Sequence, residues 1–164
     1  MKNILYFFTL VSLALFACGG SGDGGTSPQD KLTGGGAASA VATVEISGND
    51  AMQFDLKDIR VKAGQTVKLT LTHSGKLPKE AMGHNWVLLQ KDVNMQEFAM
   101  AAMTDVASGY VPASEASKVI AHTKLIGGGE STTIEFAAPP AGTYEFLCSF
   151  PGHSALMQGK FIVE

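Results

Sequence analysis

Thr66-Val67-Lys68-Leu69-Thr70-Leu71-Thr72-His73 alternates without a break, with Val67, Leu69 and Leu71 facing one way and Lys68, Thr70 and Thr72 the other. Period-two alternation of this kind predicts a strand with one face on a core and one in water. The signature recurs on both sides. Val44 and Ile46 alternate with Thr43 and Glu45, Ile134 and Phe136 with Thr133 and Glu135, and Tyr144 and Phe146 with Thr143 and Glu145; Phe161 and Val163 close the chain. Turn formers separate the runs at Ser47-Gly48-Asn49-Asp50, Ala63-Gly64, Ser74-Gly75, Gly127-Gly128-Gly129 and Pro139-Pro140-Ala141-Gly142. Seven or eight short strands so punctuated predict an all-β antiparallel sandwich. One stretch dissents: Asp92 to Met103, with Val93, Met95, Phe98 and Met100 among alanines, favours a helix with Asp92 as N-cap.

The alternation starts at Val41, and neither a repeat nor a second boundary follows, so residues 41–164 read as one domain. Upstream, Lys2 precedes an apolar run from Ile4 to Phe16, too short to cross a bilayer but suited to the centre of a signal peptide. The sequence Leu15-Phe16-Ala17-Cys18-Gly19 resembles a bacterial lipoprotein signal, with 1–17 removed and Cys18 acylated; an ordinary signal peptide that contains a cysteine is the alternative. Residues 18–40, rich in Gly and Ser, have little to bury and read as a flexible tether. The whole chain has 164 residues, 45% of them apolar, and a formal charge of −3. No basic stripe is present to hold a phosphate backbone, which excludes nucleic acid as a partner. The two cysteines, Cys18 and Cys148, sit in such different settings that a disulfide framework is not the first reading.

Residues that carry chemistry cluster near the C-terminus. Cys148-Ser149-Phe150-Pro151-Gly152-His153-Ser154-Ala155-Leu156-Met157 places a thiol, an imidazole and a thioether within ten residues, and Pro151-Gly152 lets the chain turn back on itself. A second imidazole, His84, stands upstream in Met82-Gly83-His84-Asn85-Trp86. Two imidazoles, a thiolate and a weak thioether are the donor set of a mononuclear blue-copper site. Thiolate and thioether suit Cu(I), and imidazole suits both oxidation states. Taken singly, each has a plainer reading: a small buried cysteine, a core histidine, a methionine filling space. Zinc competes as the ion, although structural zinc gains little from methionine. A Cys–His nucleophile is a further reading, but no oxyanion motif accompanies it.

Met82-Gly83-His84-Asn85-Trp86-Val87-Leu88 and Cys148 through Lys160 resemble azurin, a cupredoxin, as do Gly48 to Phe54, His73 to Lys79 and Val119 to Gly127. The resemblance spans about residues 41–164. It implies a Greek-key β-sandwich of about eight strands with a helical flap near 92–105, and one type 1 copper cycling between Cu(I) and Cu(II). It implies His84, Cys148 and His153 as in-plane ligands, Met157 as weak axial ligand, and the Gly83 carbonyl opposite. Asn85 matches a residue whose backbone N–H bonds the thiolate and whose side chain ties the two ligand segments together. Phe150 has a backbone N–H free to give the sulfur a second hydrogen bond. Trp86 matches a buried core residue, and His73 a histidine that titrates near the site, although a plain buried histidine fits equally well. His122 reads as a surface residue. In one respect the chain departs from azurins: they carry a disulfide near the N-terminal strand, whereas Ala42 and Ala63-Gly64-Gln65 offer no cysteine. The tether points toward membrane-bound relatives such as auracyanins.

Apart from the two histidines, Ala81 to Gln90 and Phe146 to Gly159 carry no formal charge. If His84 and His153 meet at one end of the sandwich, Met82, Phe150, Pro151, Ala155 and Leu156 form an apolar rim for docking redox proteins around His153. The expectation is therefore a non-enzymatic single-electron shuttle, lipid-anchored through Cys18 to a bacterial membrane, its domain facing the periplasm or exterior. A copper buffer or delivery protein is the alternative. The copper domain of an oxidase or nitrite reductase is excluded, because four histidines cannot furnish further catalytic centres.

Overall fold

The structure is a computed structural model and describes residues 40–164; the expected signal peptide, Cys18 and the expected tether up to residue 39 lie outside the described residues. Eight strands follow in order: β1 (Val41–Gly48), β2 (Asp58–Val61), β3 (Thr66–His73), β4 (Val87–Leu89), β5 (Val119–His122), β6 (Ser131–Ala137), β7 (Gly142–Leu147) and β8 (Gln158–Val163). They form a three-stranded sheet, β1-β3-β6, and a five-stranded sheet, β2-β8-β7-β4-β5, which pack as a β-sandwich. Alternation in the sequence becomes alternation in burial. Val67, Leu69 and Leu71 of β3 are fully buried, as are Phe146 of β7 and Phe161 of β8. Trp86 lies among Phe146, Phe136 and Phe161 with ring centroids 5.6, 5.9 and 6.1 Å away. Each such side chain contributes about 1.5–3 kcal/mol by leaving water.

Two expectations are corrected. The sheets are not wholly antiparallel, because β1 pairs parallel with β3, and β2 parallel with β8. After β1 the chain crosses to the other sheet, lays down β2, and returns as β3, and such a crossover leaves β1 and β3 running the same way. The helical flap is also shorter than Asp92 to Met103. Helix α1 is a single turn, Lys79–Met82, and α2 spans Met95–Ala102. The cap of α2 is Asn94, whose side chain accepts from the backbone N–H groups of Gln96 and Glu97 at 3.0 and 3.2 Å. Asp92 has φ 64°, a left-handed conformation that an N-cap does not adopt. Met95, Phe98, Ala99 and Ala102 form the buried face of α2, whereas Met100 is 66% exposed.

No covalent link replaces the family's disulfide among the described residues, where Cys148 is free. Ala42 instead pairs with Val67 in a ladder that runs the whole length of β1 and β3.

Strand ends then define one pole of the sandwich. Val87, which opens β4, pairs with Leu147, which closes β7, and Leu147 pairs with Gln158, which opens β8. His84, Cys148 and Met157 therefore lie just beyond neighbouring strand ends.

Candidate metal centre

Each donor at this pole is placed by backbone bonds. Cys148 prolongs the β7–β8 ladder by one step, its N–H donating to Met157 O at 2.9 Å. Beyond it Gly152 takes φ 81°, which glycine adopts without steric cost, and a 3-10 turn, His153–Ala155, follows. Met157 N–H closes the loop onto His153 O at 2.8 Å. His84 exchanges both main-chain hydrogen bonds with Ile126, each 2.9 Å long.

One ligand atom from each of His84, Cys148 and His153 falls within 4.8 Å of the others. The His84 and His153 rings are 5.1 Å apart. Cys148 Sγ lies 3.6 Å from His153 Nδ1 and 3.9 Å from Gly83 O. His84, Cys148 and Met157 are fully buried, and His153 keeps 3% exposure.

Hydrogen bonds fix the tautomer of His84. Its Nε2 lies 3.0 Å from Asn49 O, and a carbonyl only accepts, so Nε2 bears the proton. Nδ1 is left as a bare lone pair, buried, with no hydrogen-bond partner. An unmet buried acceptor costs about 1–3 kcal/mol. Here it points to an electrophile, and beside a thiol and a second imidazole the donor set suits a borderline-soft cation.

Burial holds the pocket's own titratable groups toward their neutral forms. The Cys148 thiol is pushed up to about 12, against the opposing pull of hydrogen bonds from the backbone N–H groups of Asn85 and Phe150. Burial, reinforced by the neighbouring His84 and His73, brings His153 down to about 4. His84 is lowered, again chiefly by burial. A bound cation would reverse the burden on the thiolate, and the two backbone donors are already in place for it.

Asn85 ties the ligand segments together. Its Oδ1 accepts from Ser149 N–H at 2.8 Å, and its Nδ2 donates to Ser149 Oγ at 2.8 Å and to Gly109 O at 3.0 Å. Ser149 Oγ donates onward to Tyr110 O at 2.6 Å, and the Tyr110 ring meets Phe150 edge-on at 5.1 Å. Phe150 in turn lies 4.6 Å from the His153 ring. His73 is buried and stacks on His84 at 4.1 Å and 17°, so it supports that ring rather than joining the donor cluster. Gly75 N–H donates to His73 Nδ1 at 3.0 Å, which makes Nε2 the donor to Met82 O at 2.8 Å. His122 is exposed.

The rim residues are also gathered at this pole. Ala155 and Leu156 are exposed, Met82 and Pro151 half-buried, and Phe150 is buried. Beside them a groove of about 140 Å³ separates Met100 and Met103 of the helical flap from Gly152 and Ala155 of the loop. Sequence reasoning missed Ser149, Tyr110 and the Asn49 carbonyl. Backbone acceptors leave no residue-type signal, and Gly109 and Tyr110 act through their carbonyls. It also missed Lys57, whose Nζ reaches Leu156 O and sets a charge against a loop that has none of its own.

Residues 40–164 match the copper binding proteins of the plastocyanin/azurin family. The chain belongs to that family. Azurin-1 of Alcaligenes xylosoxydans xylosoxydans is 50% identical over 127 residues, covering 73% of this chain and 95% of that protein. Outer membrane protein H.8 of Neisseria gonorrhoeae is 48% identical over 130 residues, 76% of this chain and 67% of its own length. Among solved structures, auracyanin A, a "blue" copper protein from Chloroflexus aurantiacus, superposes with a TM-score of 0.69 at 34% identity, covering 76% of this chain and all of that one. As a plastocyanin/azurin-family protein this chain takes copper as cofactor, and the unpartnered His84 Nδ1 beside Cys148 and His153 is where the donor set fits it.

Proposed function

We propose that this protein is a type 1 copper electron carrier, in which His84 Nδ1, Cys148 Sγ and His153 Nδ1 would hold the copper strongly and Met157 and Gly83 O would be weaker donors. The observation that carries the reading is the buried, partnerless Nδ1 of His84 facing a thiol and a second imidazole. When bound, copper supplies one-electron chemistry between Cu(II) and Cu(I). The chain's own groups do the rest. Asn49 O and the stacked His73 hold the His84 ring, the Asn85 and Phe150 amides stabilise a thiolate, and the Asn85–Ser149 pair keeps both ligand segments in register. Full burial of three of the four side chains excludes water and limits rearrangement.

His153, the one donor side chain with any exposed surface, is the exit for an electron, and the rim of Met82, Phe150, Pro151, Ala155 and Leu156 is where a redox protein docks. The reading is of a carrier rather than an enzyme, in line with the electron carriers of the azurin-like family. The leader places the domain outside the cytoplasmic membrane, with Cys18 as the acylated anchor; two or three acyl chains hold firmly where one does not.

The test is a copper titration of the purified chain. One equivalent of Cu(II) should give an intense band toward the red, bleached by ascorbate and restored on reoxidation without loss of metal to a chelator. Cys148→Ser should fold and remain colourless. A blue Cys148→Ser protein, or copper surrendered on reduction as a delivery protein would do, refutes the reading.

A further inference from the structure

We infer that Lys57 is a positioning residue for Met157, pinning the carbonyls on either side of it and holding an ammonium charge against the ligand loop. Its structural half stands on the hydrogen bonds alone, and its redox half rests on the copper reading of the site. Lys57 lies just before β2, 99 residues upstream of Leu156, yet its Nζ donates to Leu156 O at 2.7 Å and to Gln158 O at 3.4 Å. Those two carbonyls bracket Met157. The base of the side chain is fixed as well, because Lys57 O accepts from Lys160 N–H of β8 at 2.8 Å.

Met157 needs such a bracket. Methionine has three rotatable bonds, so its sulfur is placed only as well as its main chain is. On the inner side that main chain is held by Met157 N–H to His153 O and by Cys148 N–H to Met157 O. On the outer side Lys57 joins Leu156 O to Gln158 O at the start of β8, beside a single longer bond from Gln158 Nε2 to Ala155 O at 3.3 Å.

Water could satisfy those exposed carbonyls but would bring no charge. Among the described residues no ion pair includes Lys57. A positive charge beside the site disfavours the oxidised form, which is one charge more positive. A unit charge about 10 Å from a redox centre in partly aqueous surroundings shifts its oxidised-to-reduced ratio about two- to threefold. Salt should weaken the shift, because the ammonium is exposed.

Three variants separate bond from charge. Lys57→Met removes both, Lys57→Gln removes the charge, and Lys57→Arg keeps charge and donors. In the copper-free protein, amide hydrogen exchange at Met157 and Cys148 should quicken about three- to tenfold in Lys57→Met and stay near the parent in Lys57→Arg. In the copper-loaded protein, redox titration should show the ratio moved about two- to threefold toward the oxidised form in Lys57→Met and Lys57→Gln, and restored in Lys57→Arg. Unchanged exchange at both amides in Lys57→Met overturns the positioning role, and an unchanged redox ratio in Lys57→Met overturns the charge. If no redox couple is found at all, the copper reading has failed, and the exchange experiment still decides the first half.

Discussion

Gly48 ends β1 opposite His73, and a side chain there would intrude on the metal centre. A Cβ on Gly48 would lie 2.7 Å from His84 Cδ2 and 2.9 Å from Met157 Cε, where ordinary contact begins near 3.4 Å. In Gly48→Ala the ring would have to retreat by about 0.7 Å and the methyl by about 0.5 Å to reach that distance. The two neighbours are not equally able to yield. The His84 ring is gripped by Asn49 O and by the stacked His73, whereas Met157 Cε is the free end of a flexible chain. Met157 should therefore move first, carrying its sulfur off the axis. Overpacking of this kind costs about 1–3 kcal/mol. Replacing glycine restricts the unfolded chain and returns about 0.4–1 kcal/mol. The net loss is about 1–2 kcal/mol.

Urea unfolding of the copper-free protein measures it: the midpoint should fall by roughly 0.5–1 M with the slope unchanged. The copper-loaded variant should stay blue with an altered band ratio. In a Met157→Ala background, where the methyl is gone, Gly48→Ala should cost less, by about 0.5 kcal/mol or more. A midpoint equal to or above the parent's, with no coupling to Met157, would refute the account of Gly48 as the space that these two side chains require.

Met157→Leu should keep its colour and become easier to reduce, because loss of a weak donor disfavours Cu(II) more than Cu(I); a colourless protein or a lowered potential contradicts the axial role. Acid should destabilise the copper-free protein in a defined window. His153 holds at about 4 when folded against 6.5 when unfolded, so between those values the unfolded chain binds the extra proton. The contribution of His153 to stability then declines by up to about 3 kcal/mol as pH falls from 6.5 to 4, with no further loss from this group below. Urea midpoints followed across that range check this, and a flat profile counts against it. Ala155→Lys or Met82→Lys should slow electron self-exchange strongly while leaving the visible spectrum in place, since like charges would meet at the contact; NMR exchange rates equal to the parent's would place electron entry elsewhere.

The strands were legible because their alternation is local, as Val67, Leu69 and Leu71 show. The direction in which strands pair was not, because it depends on where the chain travels between them. The sequence Ser47 to Asp50 announces a turn but does not say that β2 will join the opposite sheet. Asp92 and Asn94 are both good caps by residue type, and only the left-handed backbone of Asp92 separates them. At the site, side-chain chemistry marks His84, Cys148 and His153 in the sequence, and the fold brings their ligand atoms within 4.8 Å of one another. Asn49 and Tyr110 contribute carbonyls, which every residue owns. Lys57 reads as an ordinary surface cation until the fold sets it on Leu156 O.

The donors come from distant segments, yet no bond that places them needs a metal. His84 is fixed through Ile126, Cys148 through Met157, Met157 through His153, and Ser149 through Asn85. A site assembled by its metal would instead leave such groups without partners until the ion arrived, as in small domains that fold only when loaded. Here only His84 Nδ1 is partnerless among the donor nitrogens, and only the thiol must lose a proton. The sandwich can bear that cost because most of its core lies outside the centre, from Trp86 and Phe146 to the ladder of β1 and β3. A pocket whose shape is set by the scaffold keeps that shape in either oxidation state. On the proposed reading, small reorganisation would be a property of the strand ends and the hydrogen bonds between them, and the perturbations most damaging to electron transfer should be those that loosen Asn85, Gly48 or Lys57 while leaving every ligand in place.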